Sequence, residues 1–128
     1  MRLLLDTRIV LAIVNDDVGT LPKRMNELLG EGNNELVVSA ASLWEIAIKF
    51  RLGKLRVASS LADLGQACLA FGLQHLPIEA GHVIANVEPW PATRDPFDRL
   101  LLAQALIEGC QLVTQDRALV DHPLAWKA

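Results

Sequence analysis

The sequence predicts an α/β fold in which helices surround a mostly parallel sheet. Three observations lead there. Short apolar runs alternate with longer stretches of helical apolar spacing, the pattern of βα units. No internal repeat, low-complexity tract or linker-like stretch breaks that alternation, so residues 1–128 are expected to form one domain. Apolar runs also end on acidic residues, at the sheet edge where open α/β folds hold ligands.

Taken in order, residues 2–5 read as a buried first strand. Arg8 to Val14 reads as a short helix, and Leu21 to Leu29 as a second, closed by Gly30 and Gly32. Leu36-Val37-Val38 is a second strand ending at Ser39. Residues 40–52 give the clearest helix, since Leu43, Ile46, Ala47 and Phe50 recur at i, i+3, i+4, i+7 on one apolar face, and Gly53 stops it. Residues 60–71 form another periodic helix ended by Gly72. Residues 74–76 are a short strand before Pro77, 79–87 a further helix, and Pro89, Trp90 and Pro91 mark a loop. Residues 96–108 are expected to be the most deeply buried helix, because Leu100 to Leu106 is apolar all round except at Gln104. Asp95 caps it, with Pro96 at the first helical position where a missing N–H costs nothing. Gly109 ends it, and 111–114 returns to the sheet. Trp44 is expected in the core and Trp90 on the surface.

Composition narrows the function classes. With 52% hydrophobic and 21% charged residues the chain is globular and far from disorder. Its apolar runs stop short of the roughly 20 residues that cross a bilayer, and Met1 to Asp6 is too short for a signal peptide, so a cytoplasmic protein with no membrane contact is expected. Cys68 and Cys110 read as small buried hydrophobes, with no Cys-x-x-Cys pair. His75, His82 and His122 share no ligand spacing with them, so nothing supports a zinc site. A net charge of −3 argues against a general basic footprint for nucleic acid, although bound metal ions would offset negative charge at a site. Phosphate-binding glycine motifs and a Gly-x-Ser-x-Gly elbow are absent.

The acids carry the chemistry. Asp6 closes the first strand, Glu45 lies in the helix that follows the second, Asp98 in the first turn of the buried helix, and Asp116 beyond the last strand. Singly, each has a structural explanation. Asp6 and Asp116 fit helix N-caps, Ser42-x-x-Glu45 fits a capping box, and Asp98 suits a helix dipole. Together they fall on one edge, where like charges are tolerable only with a cation or shifted pKa values. Hard divalent ions for phosphodiester chemistry want such a carboxylate set. Asp95 is set apart as a cap that pairs with Arg99 at i, i+4, and Lys49 pairs with Glu45 in the same way. Arg51, Lys54 and Arg56, with Arg94, Arg99 and Arg117, include candidates for steering a phosphate backbone.

The segments Leu3 to Thr7, Ser39 to Lys49, Arg94 to Leu101 and Leu112 to Asp116, with Arg51 to Leu55, Leu76 to Ile78 and Trp126, resemble PIN-domain proteins. The likeness is to VapC-type toxins of bacterial toxin–antitoxin modules and runs almost end to end. It implies a three-layer α/β/α sandwich and a metal-dependent ribonuclease. Carried over by position, Asp6, Glu45, Asp98 and Asp116 match the acidic quartet and Thr114 its accompanying hydroxyl, with Asp95 and Thr7 as accessory positions. Arg8 stands where such proteins often have His. The expectation is one or two Mg²⁺ or Mn²⁺ ions held mainly by Asp6 and Asp98, with Glu45 and Asp116 bound directly or through water. The resemblance further implies an RNA substrate, a cognate antitoxin and a homodimer. Two alternatives remain: a catalytically degenerate PIN-like module acting through partners, and a phosphoacceptor domain. The latter is disfavoured because Arg8 stands where haloacid phosphatases need a second Asp.

Overall fold

The computed structural model describes residues 1–128 and contains four strands and six α-helices. The strands are β1 (Arg2–Leu5), β2 (Glu35–Ser39), β3 (Leu73–Leu76) and β4 (Gln111–Val113), all parallel, in the order β3-β2-β1-β4. The helices are α1 (Thr7–Val14), α2 (Lys23–Gly30), α3 (Ala40–Arg51), α4 (Leu64–Ala70), α5 (Ala80–Ile84) and α6 (Pro96–Glu108). The strands carry apolar side chains on both faces, as helix-covered parallel sheets require. Leu3, Leu5, Val38, Leu73 and Val113 enter one core with residues of α1, α2 and α4. Leu4, Val37, Leu76 and Leu112 enter the other, mainly with α6. Two cores on one sheet make the expected α/β/α sandwich.

Topology fixes where a ligand site falls. The chain steps from β1 to β2 and β3 on one side, then returns to place β4 on the other side of β1. The β1/β4 boundary is therefore the switch point at which an open α/β sheet leaves a crevice. Leu5 stands opposite Val113, and the Asp6 N–H donates to Val113 O (3.0 Å), so the residues after both strands emerge side by side.

Local signals account for α6. Asp95 accepts from the Phe97 N–H, Pro96 occupies the first turn, and Gly109 closes the helix in a left-handed conformation (φ 69°, ψ 32°) that glycine adopts without steric cost. Its last turn is less buried than its composition predicts, since Leu106 and Ile107 are exposed.

Several expectations need correction. The helix expected over 60–71 is a single 3₁₀ turn (Leu61–Asp63) followed by α4, and that over 79–87 shortens to α5. The helix expected over 21–29 begins later, at Lys23. Ser39 caps α3 by accepting from Ala41 N–H, so Ser42 and Glu45 form no capping box. On α3 the buried stripe is Ala41, Ser42, Glu45 and Ile46 instead of the face through Leu43 and Phe50, because α3 packs on both α1 and α6. Trp44 is consequently 61% exposed, not core, and meets the Phe97 ring edge-on at 5.5 Å. Trp90 is exposed as expected, and Cys68 and Cys110 are buried free thiols.

Candidate active site

Asp6, Glu45, Asp95, Asp98 and Asp116 line one cleft of about 670 Å³ beyond the β1/β4 switch point. Asp6 follows β1 and caps α1, with Oδ1 accepting from the N–H groups of Arg8 (3.0 Å) and Ile9 (3.2 Å). Asp116 follows β4, and its Oδ1 accepts from Ala118 N–H (2.9 Å) in a turn instead of the expected helix. Glu45 enters from the middle of α3, and Asp98 from the first turn of α6. Capping thus accounts for one oxygen of Asp6 and leaves Glu45 and Asp98 unexplained by local structure.

Three buried threonines hold three of the acids. The Thr7 hydroxyl donates to Glu45 Oε1 (2.5 Å), Thr93 to Asp98 Oδ2 (3.0 Å) and Thr114 to Asp6 Oδ2. Thr93 and Thr114 repeat one local device. Each Oγ1 also accepts a backbone N–H two residues on, from Asp95 (3.1 Å) and Asp116 (3.0 Å), which fixes the hydroxyl so that its proton points at a carboxylate. Thr7 and Thr114 were anticipated, whereas Thr93 was missed; the shared Thr-x-Asp spacing is the signal that would have found it. Arg99 steadies the loop carrying Thr93 by donating from Nε to Thr93 O (2.9 Å) while stacking over Trp90 (4.8 Å). The expected Asp95–Arg99 ion pair is absent because Arg99 is spent on these two contacts.

Burial and charge crowding both act on the carboxyls of the cleft. Burial raises the Asp98 carboxyl to about 6, with Asp95, Asp116 and Glu45 adding repulsion against the Thr93 hydrogen bond. Asp6 is also raised, chiefly by burial, while Thr114 and the two backbone N–H groups oppose the shift. The expected Lys49–Glu45 pair is present, Nζ to Oε2 at 2.6 Å. Asp98 Oδ1 and Asp116 Oδ2 make no hydrogen bond within the protein. An oxygen-only set with free lone pairs and mutual repulsion fits a hard divalent ion and does not fit a soft, thiolate-seeking one.

A separate group, Glu79, His82 and Glu108, offers ligand atoms within 4.8 Å of one another, outside this cleft. There the His82 Nδ1 accepts from Glu79 N–H (3.0 Å), which leaves Nε2 to donate to Glu108 Oε2 (2.9 Å). Both ring nitrogens are engaged in starting α5 and tying it to α6. His122 is likewise structural, with Nδ1 accepting from Leu124 N–H and Nε2 donating to Pro89 O. No helix is long and apolar enough to cross a membrane.

Comparison with known proteins agrees with this architecture. The family model described as PIN domain matches residues 3–123. No curated protein sequence matches the chain. Among solved structures, the chain is similar to one in the crystal structure of VapBC2 from Rickettsia felis bound to a DNA fragment from their promoter. The two are 16% identical with a TM-score of 0.59, over 98% of this chain and 96% of that one. A chain of VapBC-1 from nontypeable Haemophilus influenzae is 18% identical with a TM-score of 0.57, over 91% of this chain and 87% of that one.

Proposed function

The chain belongs to the PIN-domain family, and from that premise we propose that it is a divalent-metal-dependent endoribonuclease, the toxin of a toxin–antitoxin pair. The observation that carries the reading is the convergence of Asp6, Glu45, Asp98 and Asp116 on one cleft, with burial and repulsion raising Asp98. In this reading Asp6 and Asp98 hold the metal, joined by Asp116 through its free oxygen. Glu45 has both oxygens engaged, by Thr7 and Lys49, and acts through water. Bound Mg²⁺ or Mn²⁺ supplies Lewis-acid stabilisation of charge on the phosphate and a more readily ionised water. The chain's own part is to aim the carboxylates through Thr7, Thr93 and Thr114, which need no rearrangement when substrate arrives. No side chain serves as a covalent nucleophile. The substrate is RNA, single-stranded or looped, whose backbone can enter a narrow acid-floored cleft.

A nuclease toxic to its own cell requires restraint, so an antitoxin partner follows, in keeping with the VapBC complexes whose chains share this fold. Exposed Val83 and Ile84 on α5, with Leu106 and Ile107 on the packed α6, give apolar surface for protein association, including a homodimer.

Asp98→Asn tests the assignment. It keeps the shape of the side chain, and RNA cleavage in Mg²⁺ is expected to fall at least a hundredfold, the order of loss when transition-state charge stabilisation is removed. Cleavage at the parent rate rejects the assignment. Calorimetry separates the degenerate-module alternative, which predicts no divalent-ion binding at millimolar concentration.

A further inference from the structure

The acid-floored cleft has a basic rim. Arg8, Lys49, Lys54 and Arg117 line it together with the five carboxylates. Lys49 is committed to Glu45. The other three are exposed, and none comes within 4.0 Å of a carboxylate although acids share the same walls.

Each is kept apart by the backbone that carries it. Arg8 lies two residues after Asp6, and it is the Arg8 backbone N–H, not the guanidinium, that bonds Asp6 Oδ1. Arg117 follows Asp116, whose Oδ1 is taken by the Ala118 N–H. Lys54 lies beyond the end of α3, its N–H donating to Lys49 O (2.9 Å). The segment after it is clamped by Asn15, which donates from Nδ2 to Arg56 O and accepts at Oδ1 from Ala58 N–H, both at 2.8 Å. Those two hydrogen bonds tie the segment after Lys54 and Leu55 to the end of α1.

We propose that Arg8, Lys54 and Arg117 are the backbone-phosphate contacts of the cleft, gripping a single strand of RNA across the carboxylates. The inference rests on the nuclease reading and adds the substrate-binding residues. Five carboxylates repel a polyanion, and a single bound metal ion would offset part of that charge, so flanking unneutralised cations favour phosphate at the floor. Arg8 and Arg117 serve as forked donors to phosphate oxygens at the β1/β4 end, and Lys54 as a point charge at the α3 end.

The test is the salt dependence of RNA binding. A fluorescent single-stranded RNA is titrated in Mg²⁺ with the Asp98→Asn chain, so that binding is read without cleavage. Arg8→Gln, Lys54→Gln and Arg117→Gln, added singly, are each expected to lower the slope of log affinity against log salt by about 0.7, and affinity about fivefold at ~0.1 M salt. Together they lower the slope by about 2. Arg24→Gln, exposed on α2 and not lining the cleft, leaves the slope unchanged. Thermal melts of each variant check folding. If the triple variant keeps the parent slope while the Asp98-intact chain still cuts RNA, the grip is wrong and the nuclease reading stands. If the intact chain neither binds nor cuts RNA, both fall.

Discussion

Lys49 Nζ lies 2.6 Å from Glu45 Oε2, one helical turn along α3 and inside the cleft proposed to hold a metal ion. The ammonium is thus a resident cation that an incoming ion must outcompete or accommodate. Glu45 is 7% exposed, and its two oxygens are held by this partner and by Thr7. Lys49→Met is expected to destabilise the metal-free chain by about 1 kcal/mol, since the lysine end of the pair is half exposed and screened. The same change is expected to tighten Mg²⁺ binding several-fold, because a competing positive charge has left the site. Calorimetric titration alongside denaturant melts reads both effects, and unchanged or weaker Mg²⁺ affinity counts against the account.

Thr93 sets the proton affinity of Asp98. Its hydroxyl donates to the ionised carboxylate and opposes the rise that burial and Asp95 cause, leaving the group at about 6. Thr93→Val removes that donor at nearly constant volume, so Asp98 is expected to hold its proton to higher pH. The acid limb of the cleavage profile then moves to higher pH, with activity recovering once Asp98 is fully ionised. A profile that falls uniformly without moving indicates a role in shape alone.

Thr114 ties two acids at once, donating to Asp6 and accepting from the Asp116 N–H. Thr114→Val leaves a buried carboxylate and a backbone donor without their partner, a loss of about 1–3 kcal/mol. Thr114→Ser restores the hydroxyl and is expected to recover most of that stability and the cleavage rate. Failure of serine to rescue either quantity moves the importance of this position to its methyl group.

What the sequence discloses depends on how local the signal is. The Asp95–Pro96 start and Gly109 stop of α6, and the uninterrupted Leu3-Leu4-Leu5 of β1, are written in neighbouring residues, and both elements stand where they were expected. Asp6 and Asp116 were legible for the same reason, since strand ends are visible in an apolar run, whereas Glu45 and Asp98 lie on helices and were matched through the resemblance. The contacts that support them were not, although Thr7 and Thr114 were named as accessory positions. Thr114 meets Asp6 across 108 positions and Thr7 meets Glu45 across 38, and only the register of β1 against β4 and the packing of α1 against α3 create those contacts. Trp44 was misplaced because a helix gripped from two sides buries a stripe that no single apolar periodicity predicts.

Asp98 also makes the site a cost to stability when no metal is bound. Burial and neighbouring charge push its carboxyl up to about 6 in the folded chain, from 3.8 for a free aspartate. A folded pKa above the unfolded one means that the native state holds the proton more tightly. Its contribution is therefore most favourable below about pH 4 and is lost as pH rises towards 6. Above that window the ionised group sits against Asp95, Asp116 and Glu45 with only the Thr93 hydroxyl to offset them. Asp98→Asn removes the charge and keeps an acceptor for Thr93, so the metal-free variant is expected to be more stable than the parent at about pH 7.5. The gain is on the order of 1 kcal/mol after discounting for solvent screening of a half-exposed group. At about pH 3.5 the parent carries the proton in the folded chain and largely in the unfolded one, so the difference nearly vanishes. Mg²⁺ relieves the same repulsion, so it raises the melting temperature of the parent at neutral pH more than that of the variant. Melting curves at the two pH values, with and without Mg²⁺, decide the matter. A variant less stable than the parent at neutral pH, or stabilised by Mg²⁺ to the same degree, removes Asp98 from the metal site.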